Sequence, residues 1–145
     1  QPRNAEAPNA MHGLHLTADL HQCGCELHWL TDANLLGQRC LQAVAAARLQ
    51  AVAQLFHTFP ATSHGPGGVT ATVLLAESHV CIHTWPEQRS VTLDVYVCNF
   101  GGDHSARAQA LLAELMALFK PAQVEQHQLV RGQIAVDPRQ QGPGC

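Results

Sequence analysis

The sequence is poor in charge and has no cluster of Lys or Arg anywhere. With 13% charged residues and a formal net charge of −3, it lacks the electrostatic footprint that phosphate backbones require, so nucleic acid is excluded as a partner. It also lacks any apolar run near the roughly 20 residues that span a bilayer, and its first residues, QPRNAEAPNA, have no signal-peptide core. No membrane partner and a cytoplasmic location are the expectation. Cysteine is present but unpatterned: positions 23, 25, 40, 81, 98 and 145 show no regular spacing, and a chain of this size does not need staples. Free thiols are expected.

What is there is a globular composition, 46% hydrophobic over 145 residues, enough for one domain with one core. Residues 1 to 10 are read as a disordered or extraneous tail, 11 to 133 as the domain and 134 to 145 as a mobile C-terminal tail. From His12 to Leu20 apolar residues alternate, the pattern of a half-buried strand. After a CGC turn, Thr31, Asp32 and Asn34 offer caps to a helix from Leu35 to about Ala47. Ala51 to Phe59 reads as a strand, followed by PATSHGPGG, whose Pro and Gly exclude regular structure.

Val69 to Ala76, Val80 to Trp85 and Ser90 to Cys98 then read as three strands, the last two joined by a turn at Pro86. In the last, Thr92, Asp94, Tyr96 and Cys98 share one face. Asp103 is the expected cap of a helix from Ser105 to Phe119, stopped by Pro121. A final strand covers about Ala122 to Val130. Two helices cover one face of such a sheet, so the expected fold is a two-layer α/β sandwich, mainly antiparallel, with a second copy of the chain over the other face.

The segment AESHVCIHTWPE and the strand after it bring together Ser78, a candidate nucleophile, His83, a candidate base, and Cys98, a thiol. Taken alone, each has an ordinary explanation as a turn residue, a satisfied strand histidine and a small core residue. Two His/Cys groups suggest a different class, a metal-binding or regulatory module: His21, Cys23, Cys25 and His28, or His79, Cys81 and His83. CGC, however, lacks the two-residue gap of zinc knuckles, and no metal is expected. Parity adds a condition: five residues apart on a straight strand, Ser78 and His83 face opposite sides, so Ser78 must sit at a bend.

AESHVCIHTWPE with the strand ending in Cys98 resembles the self-cleaving prokaryotic S-adenosylmethionine decarboxylases, which make a pyruvoyl cofactor from an internal serine. The similarity extends over His15-Leu16, Asp19, the Cys23 region and FHTF at 56 to 59. It implies serinolysis between Glu77 and Ser78. Ser78 Oγ adds to the Glu77 carbonyl and the amide becomes an ester. Loss of the Ser78 Cα proton then expels the Glu77 carboxylate, and the dehydroalanine left behind tautomerises and is hydrolysed to a pyruvoyl group with release of ammonia.

In this resemblance His83 is the proton acceptor of processing, a task suited to its pKa range, and Thr70 supports the oxyanion. Cys98 is the proton donor of decarboxylation, in which the substrate amine would form a Schiff base at residue 78. Phe59 and Glu87 are implied as substrate contacts. The implied partners are a small amino-acid-type substrate, the protein's own two cleaved chains, and a second processed pair in a homodimer.

The chain departs from the family pattern in two places. FHTFPATSHGPGGVT is about five residues longer than the usual connection, and Gln88 to Val91 and Asn99 replace the usual small and aromatic residues. S-adenosylmethionine is the expected substrate, ornithine or arginine the alternative, and a paralogue that keeps the fold without cleaving is a further one.

Overall fold

A computed structural model describes residues 10 to 99 and 102 to 135. Its order is β1 (Ala10–Cys23), α1 (His28–Thr31), α2 (Ala33–Ala46), β2 (Ala51–Thr58), β3 (Val69–Leu75), β4 (Ser78–Trp85), a 3-10 turn (Pro86–Gln88), β5 (Ser90–Cys98), α3 (Ser105–Phe119) and β6 (Pro121–Ala135). The six strands form one sheet in the order β2-β3-β4-β5-β1-β6, with every neighbouring pair antiparallel. Helices α2 and α3 cover one face. The expected sandwich is therefore present.

Alternation explains which face is covered. In β4, Val80, Ile82 and Thr84 are buried against the helices while His79, Cys81 and His83 are partly open; in β5, Val91, Leu93, Val95 and Val97 are buried and Thr92, Asp94 and Tyr96 are not. A strand with period-two polarity gives one core face and one wet face. On the covered side, Leu36, Cys40, Ala43 and Val44 of α2 and Leu111, Leu115 and Phe119 of α3 meet those strands in one core. Full burial of each large aliphatic side chain contributes about 1.5–3 kcal/mol.

Among the described residues, nothing covers the other face. It presents polar side chains with large apolar ones among them: Leu55 is 73% exposed, Leu129 54% and Leu74 46%.

Several expectations shift at their edges. The long outer strands exceed the sequence signal: Ala10 pairs with Ala135, so residue 10 and residues 134 and 135, expected in the tails, belong to the sheet. The rest of both expected tails lies outside the described residues. The one-turn helix α1 gives no amphipathic period and escapes sequence reading. Asp32 caps α2 as expected, accepting from the Leu35 N–H at 3.0 Å. At α3 the cap residue is His104 rather than Asp103. Asp103, one step earlier, accepts from the Ser105 N–H at 2.9 Å, and that hydrogen bond holds its carboxyl below the usual range.

Two departures from the family pattern acquire structural work. Arg89 Nη1 donates to the carbonyls of Cys23 and Cys25 at 2.9 and 2.8 Å, so it clamps the CGC turn. Asn99 accepts from the His104 N–H at 2.9 Å and donates to Ser105 Oγ at 3.2 Å, which ties the end of β5 to the start of α3.

Candidate active site

The turn between β3 and β4 consists of Ala76 and Glu77, closed by the Leu75–Ser78 pair. Glu77 has φ 54°, the left-handed region, which costs a residue with a Cβ on the order of 1 kcal/mol. Ser78 is thus the first paired residue of β4, directly after this turn rather than within it. Its Oγ accepts a hydrogen bond from the Cys98 N–H at 3.0 Å. A fixed N–H aimed at a hydroxyl oxygen stabilises developing negative charge there, the change that occurs when the hydroxyl becomes a nucleophile. Cys98 Sγ lies 3.8 Å from Glu77 Oε2, so Glu77, Ser78 and Cys98 form one cluster.

The Cys98 sulfur corrects the expectation of free thiols. Cys23, Cys25, Cys40 and Cys81 are free, but Cys98 is disulfide-bonded. A disulfide sulfur carries no proton, so the donor role implied for Cys98 requires reduction first.

His83 and Thr70 form a second cluster. They are register partners on β4 and β3, and Thr70 Oγ1 is 3.0 Å from His83 Nδ1. Both open onto a cavity of about 560 Å³ that Phe59, Trp85, Glu87 and the 60–68 loop also line. The loop holds its shape by Phe59 N–H donating to Gly68 carbonyl at 2.9 Å, and a Cβ at Gly67 or Gly68 would strike the Phe59 or Thr84 backbone. The loop insertion therefore becomes a cavity wall, which brings Phe59 and Glu87 to one site.

The structure does not bring the two clusters together within one chain. Ser78 and His83 stand at opposite ends of β4, and five residues of strand span about 16 Å. Ser78 pairs with buried Leu75 and shares the strand phase of Val80 and Ile82, opposite to that of His83, so the turn at Glu77 leaves both the parity difference and this separation in place.

The metal alternatives fare differently. Among the described residues the group within ligand reach is His15, His79 and Asp94. Neither group singled out in the sequence converges: His79 turns to Asp94, Cys81 accepts from Thr72 Oγ1 at 3.7 Å, and His83 meets Thr70. The set His15, His79, Asp94 was missed because its members lie on three strands. The available signal was the polar phase of each strand, which puts all three on the open face.

The sheet order and the two helices on one face define a two-layer antiparallel α/β protein with an open polar face. Residues 14–132 match the family model described as S-adenosylmethionine decarboxylase. Curated relatives named S-adenosylmethionine decarboxylase proenzyme include one from Methanococcus maripaludis, 33% identical over 86% of this chain and 93% of its own. Another from Acidithiobacillus ferrooxidans is 34% identical over 84% of each chain. The crystal structure of the adenosylmethionine decarboxylase from Aquifex aeolicus superposes with a TM-score of 0.69 at 28% identity, covering 90% of this chain and 97% of that one. The chain belongs to the S-adenosylmethionine decarboxylase family. It is a pyruvoyl-dependent decarboxylase proenzyme of polyamine biosynthesis, its cofactor made by self-cleavage, and the metal-module and non-cleaving readings give way to that membership.

Proposed function

We propose that the chain cuts itself between Glu77 and Ser78 and that the finished enzyme decarboxylates S-adenosylmethionine at a site shared by two copies. The observation that carries this is Ser78 itself, placed straight after the left-handed Glu77 with its Oγ fixed by the Cys98 N–H. The strained turn raises the ground state of the bond to be broken, and the N–H stabilises the attacking oxygen. When formed, the pyruvoyl group supplies the electron sink for loss of carbon dioxide. Cys98, once reduced, sits beside residue 78 to return a proton to the substrate carbon.

The separation of the clusters supports a shared site. His83 cannot reach the Ser78 Cα of its own chain across about 16 Å, whereas a second copy stacked face to face and reversed presents its His83 and Thr70 to that Ser78. The open face suits such a partner, since it mixes exposed Leu55, Leu74 and Leu129 with half-buried polar groups. The same arrangement sets the cavity with Phe59, Trp85 and Glu87 against the partner's residue 78.

That cavity favours S-adenosylmethionine over ornithine or arginine. About 560 Å³ walled by two aromatic rings accommodates a nucleoside, and aromatic faces attract a sulfonium. Glu87 is the acceptor for ribose hydroxyls. No described helix is long and apolar enough to cross a membrane, and a cytoplasmic setting belongs to this reading because a reducing compartment keeps the Cys98 thiol available.

The test is a denaturing mass measurement joined to carbon dioxide release from carboxyl-labelled substrates. Two fragments meeting at 77/78 and release from S-adenosylmethionine are expected. One intact 145-residue mass overturns the cleavage, and release only from ornithine or arginine overturns the substrate.

A further inference from the structure

Next to the processing cluster runs a chain of side chains to which the reaction above assigns no task. Asp94 Oδ2 lies 3.0 Å from Nε2 of His79 and 3.0 Å from Nε2 of His15, and Arg131 Nη1 stands 3.2 Å from His15 Nδ1. The three inner members are largely withdrawn from water, with side-chain exposures of 17% for His15, 34% for His79 and 28% for Asp94. The His79 ring stacks on Tyr96 at 5.7 Å and 29°. Tyr96 in turn occupies the space over Gly13, where any Cβ would collide with its phenol.

The proton positions follow from Arg131. A guanidinium keeps its protons and accepts nothing, so His15 Nδ1 must be the acceptor and the His15 proton is on Nε2, donated to Asp94. A metal ion among His15, His79 and Asp94 would need that Nε2 bare and a proton on Nδ1, pointing at the guanidinium. Although the three ligand atoms lie within 4.8 Å of one another, Arg131 makes the group a hydrogen-bond relay instead. Asp94 Oδ2 ends the relay by accepting the Nε2–H of His79.

His79 is the residue directly after Ser78. We propose that Asp94, backed by His15 and Arg131, is a positioning relay that grips His79 and thereby pins residue 78 once the Glu77–Ser78 bond has been cut. This rests on the self-cleavage proposed above. Before the cut, the turn holds Ser78 covalently. After it, residue 78 is a chain end and its pairing partner Leu75 lies two residues from another, and chain ends fray unless tied down. The first side chain available to tie down the new end is that of His79. Its grip fixes the amide that joins residues 78 and 79, whose carbonyl must stay in line with the reacting ketone.

Hydrogen exchange read by mass spectrometry over residues 79 to 81 tests this in two backgrounds, the processed protein and the uncleaved Ser78→Ala protein. In the processed protein Asp94→Ala is expected to speed exchange at residues 79 to 81 about tenfold and to lower kcat about 10- to 100-fold, with KM within about twofold. In the Ser78→Ala background exchange should stay unchanged, because the intact turn does the holding. Asp94→Asn, which keeps one acceptor oxygen, should recover part of the loss.

Equal loosening in both backgrounds, or loosening in neither, overturns the proposal while leaving self-cleavage standing. Stoichiometric zinc in the wild type that is absent from Asp94→Ala overturns it in favour of a metal site. A wild-type chain that stays whole overturns both. If Asp94→Ala fails to fold or to process, Arg131→Gln at the exposed end of the relay is judged by the same criteria.

Discussion

The two ends of β4 carry matching chemistry, a hydroxyl, a histidine and an acid, on backbones of opposite kinds. At the first end Ser78 and His79 follow Glu77 in the left-handed region, and the reactive atoms are held by the N–H of the next strand. At the second end His83 and Thr70 sit face to face on regular paired strands, with Glu87 beyond them on the wall of a wide cavity. The first end is a tight left-handed turn and the second is regular backbone beside a wide cavity; under the proposed function the first breaks a bond of the chain and the second binds a molecule and moves its protons. A strand of fixed rise keeps the two apart.

The largest expected effect removes the first end. Ser78→Ala has no hydroxyl to attack Glu77, so it should show one intact mass and no decarboxylation; a cleaved alanine variant would place the cut elsewhere. Next in size is a trial of the separation itself. His83→Ala alone should stay uncleaved, yet when it is co-expressed with Ser78→Ala the chains that keep Ser78 should be cut, since each mixed dimer holds one Ser78 opposite one His83. If mixing restores nothing, the two ends do not meet across two copies.

A smaller effect separates making the cofactor from using it. Cys98→Ser should still be processed, because its N–H remains, but should lose about 10²-fold in decarboxylation rate, and wild-type turnover should depend on a thiol reductant that the variant ignores. Equal rates with and without reductant would remove Cys98 from the donor role. At the second end, Phe59→Ala should raise KM for S-adenosylmethionine about tenfold with processing intact, and an unchanged KM would take the ring out of the substrate site.

The smallest effect lies away from both ends, in the core. Burial pushes the Cys40 thiol up to about 12, with nearby Cys81 adding to that shift and Arg39 opposing it. The unfolded thiol ionises near 9, so its contribution to stability is fully present below pH 9 and is lost as pH rises from 9 towards 12. Denaturant melts should therefore show a shallower alkaline decline for Cys40→Ala than for the wild type. Parallel declines would mean that this thiol is not the group responsible.

Much of the fold could be read from the order of residues. Strand β5 and helix α3 have the limits their patterns give, Ser90 to Cys98 and Ser105 to Phe119, because each is long and strongly periodic. Asp32 was legible as one of three candidate caps. Illegible were α1, too short to have a period, the ends of β1 and β6, whose pairing with each other extends both, and Arg89, whose clamp on the CGC turn joins residues more than sixty positions apart.

The order of residues supplied the candidate groups, an acid followed by serine, a histidine and a cysteine in AESHVCIHTWPE and its following strand, and the family resemblance carried by that stretch. Which of those groups can meet was a matter of tertiary structure. It placed Cys98 against Ser78 by pairing β4 with β5, set His83 a strand's length away, and assembled Arg131, His15, Asp94 and His79 from four strands. The physical reason is that sequence fixes the face on which a side chain lies, through the two-residue period, whereas distances between strands come from register and sheet order, which the packing of the whole chain selects.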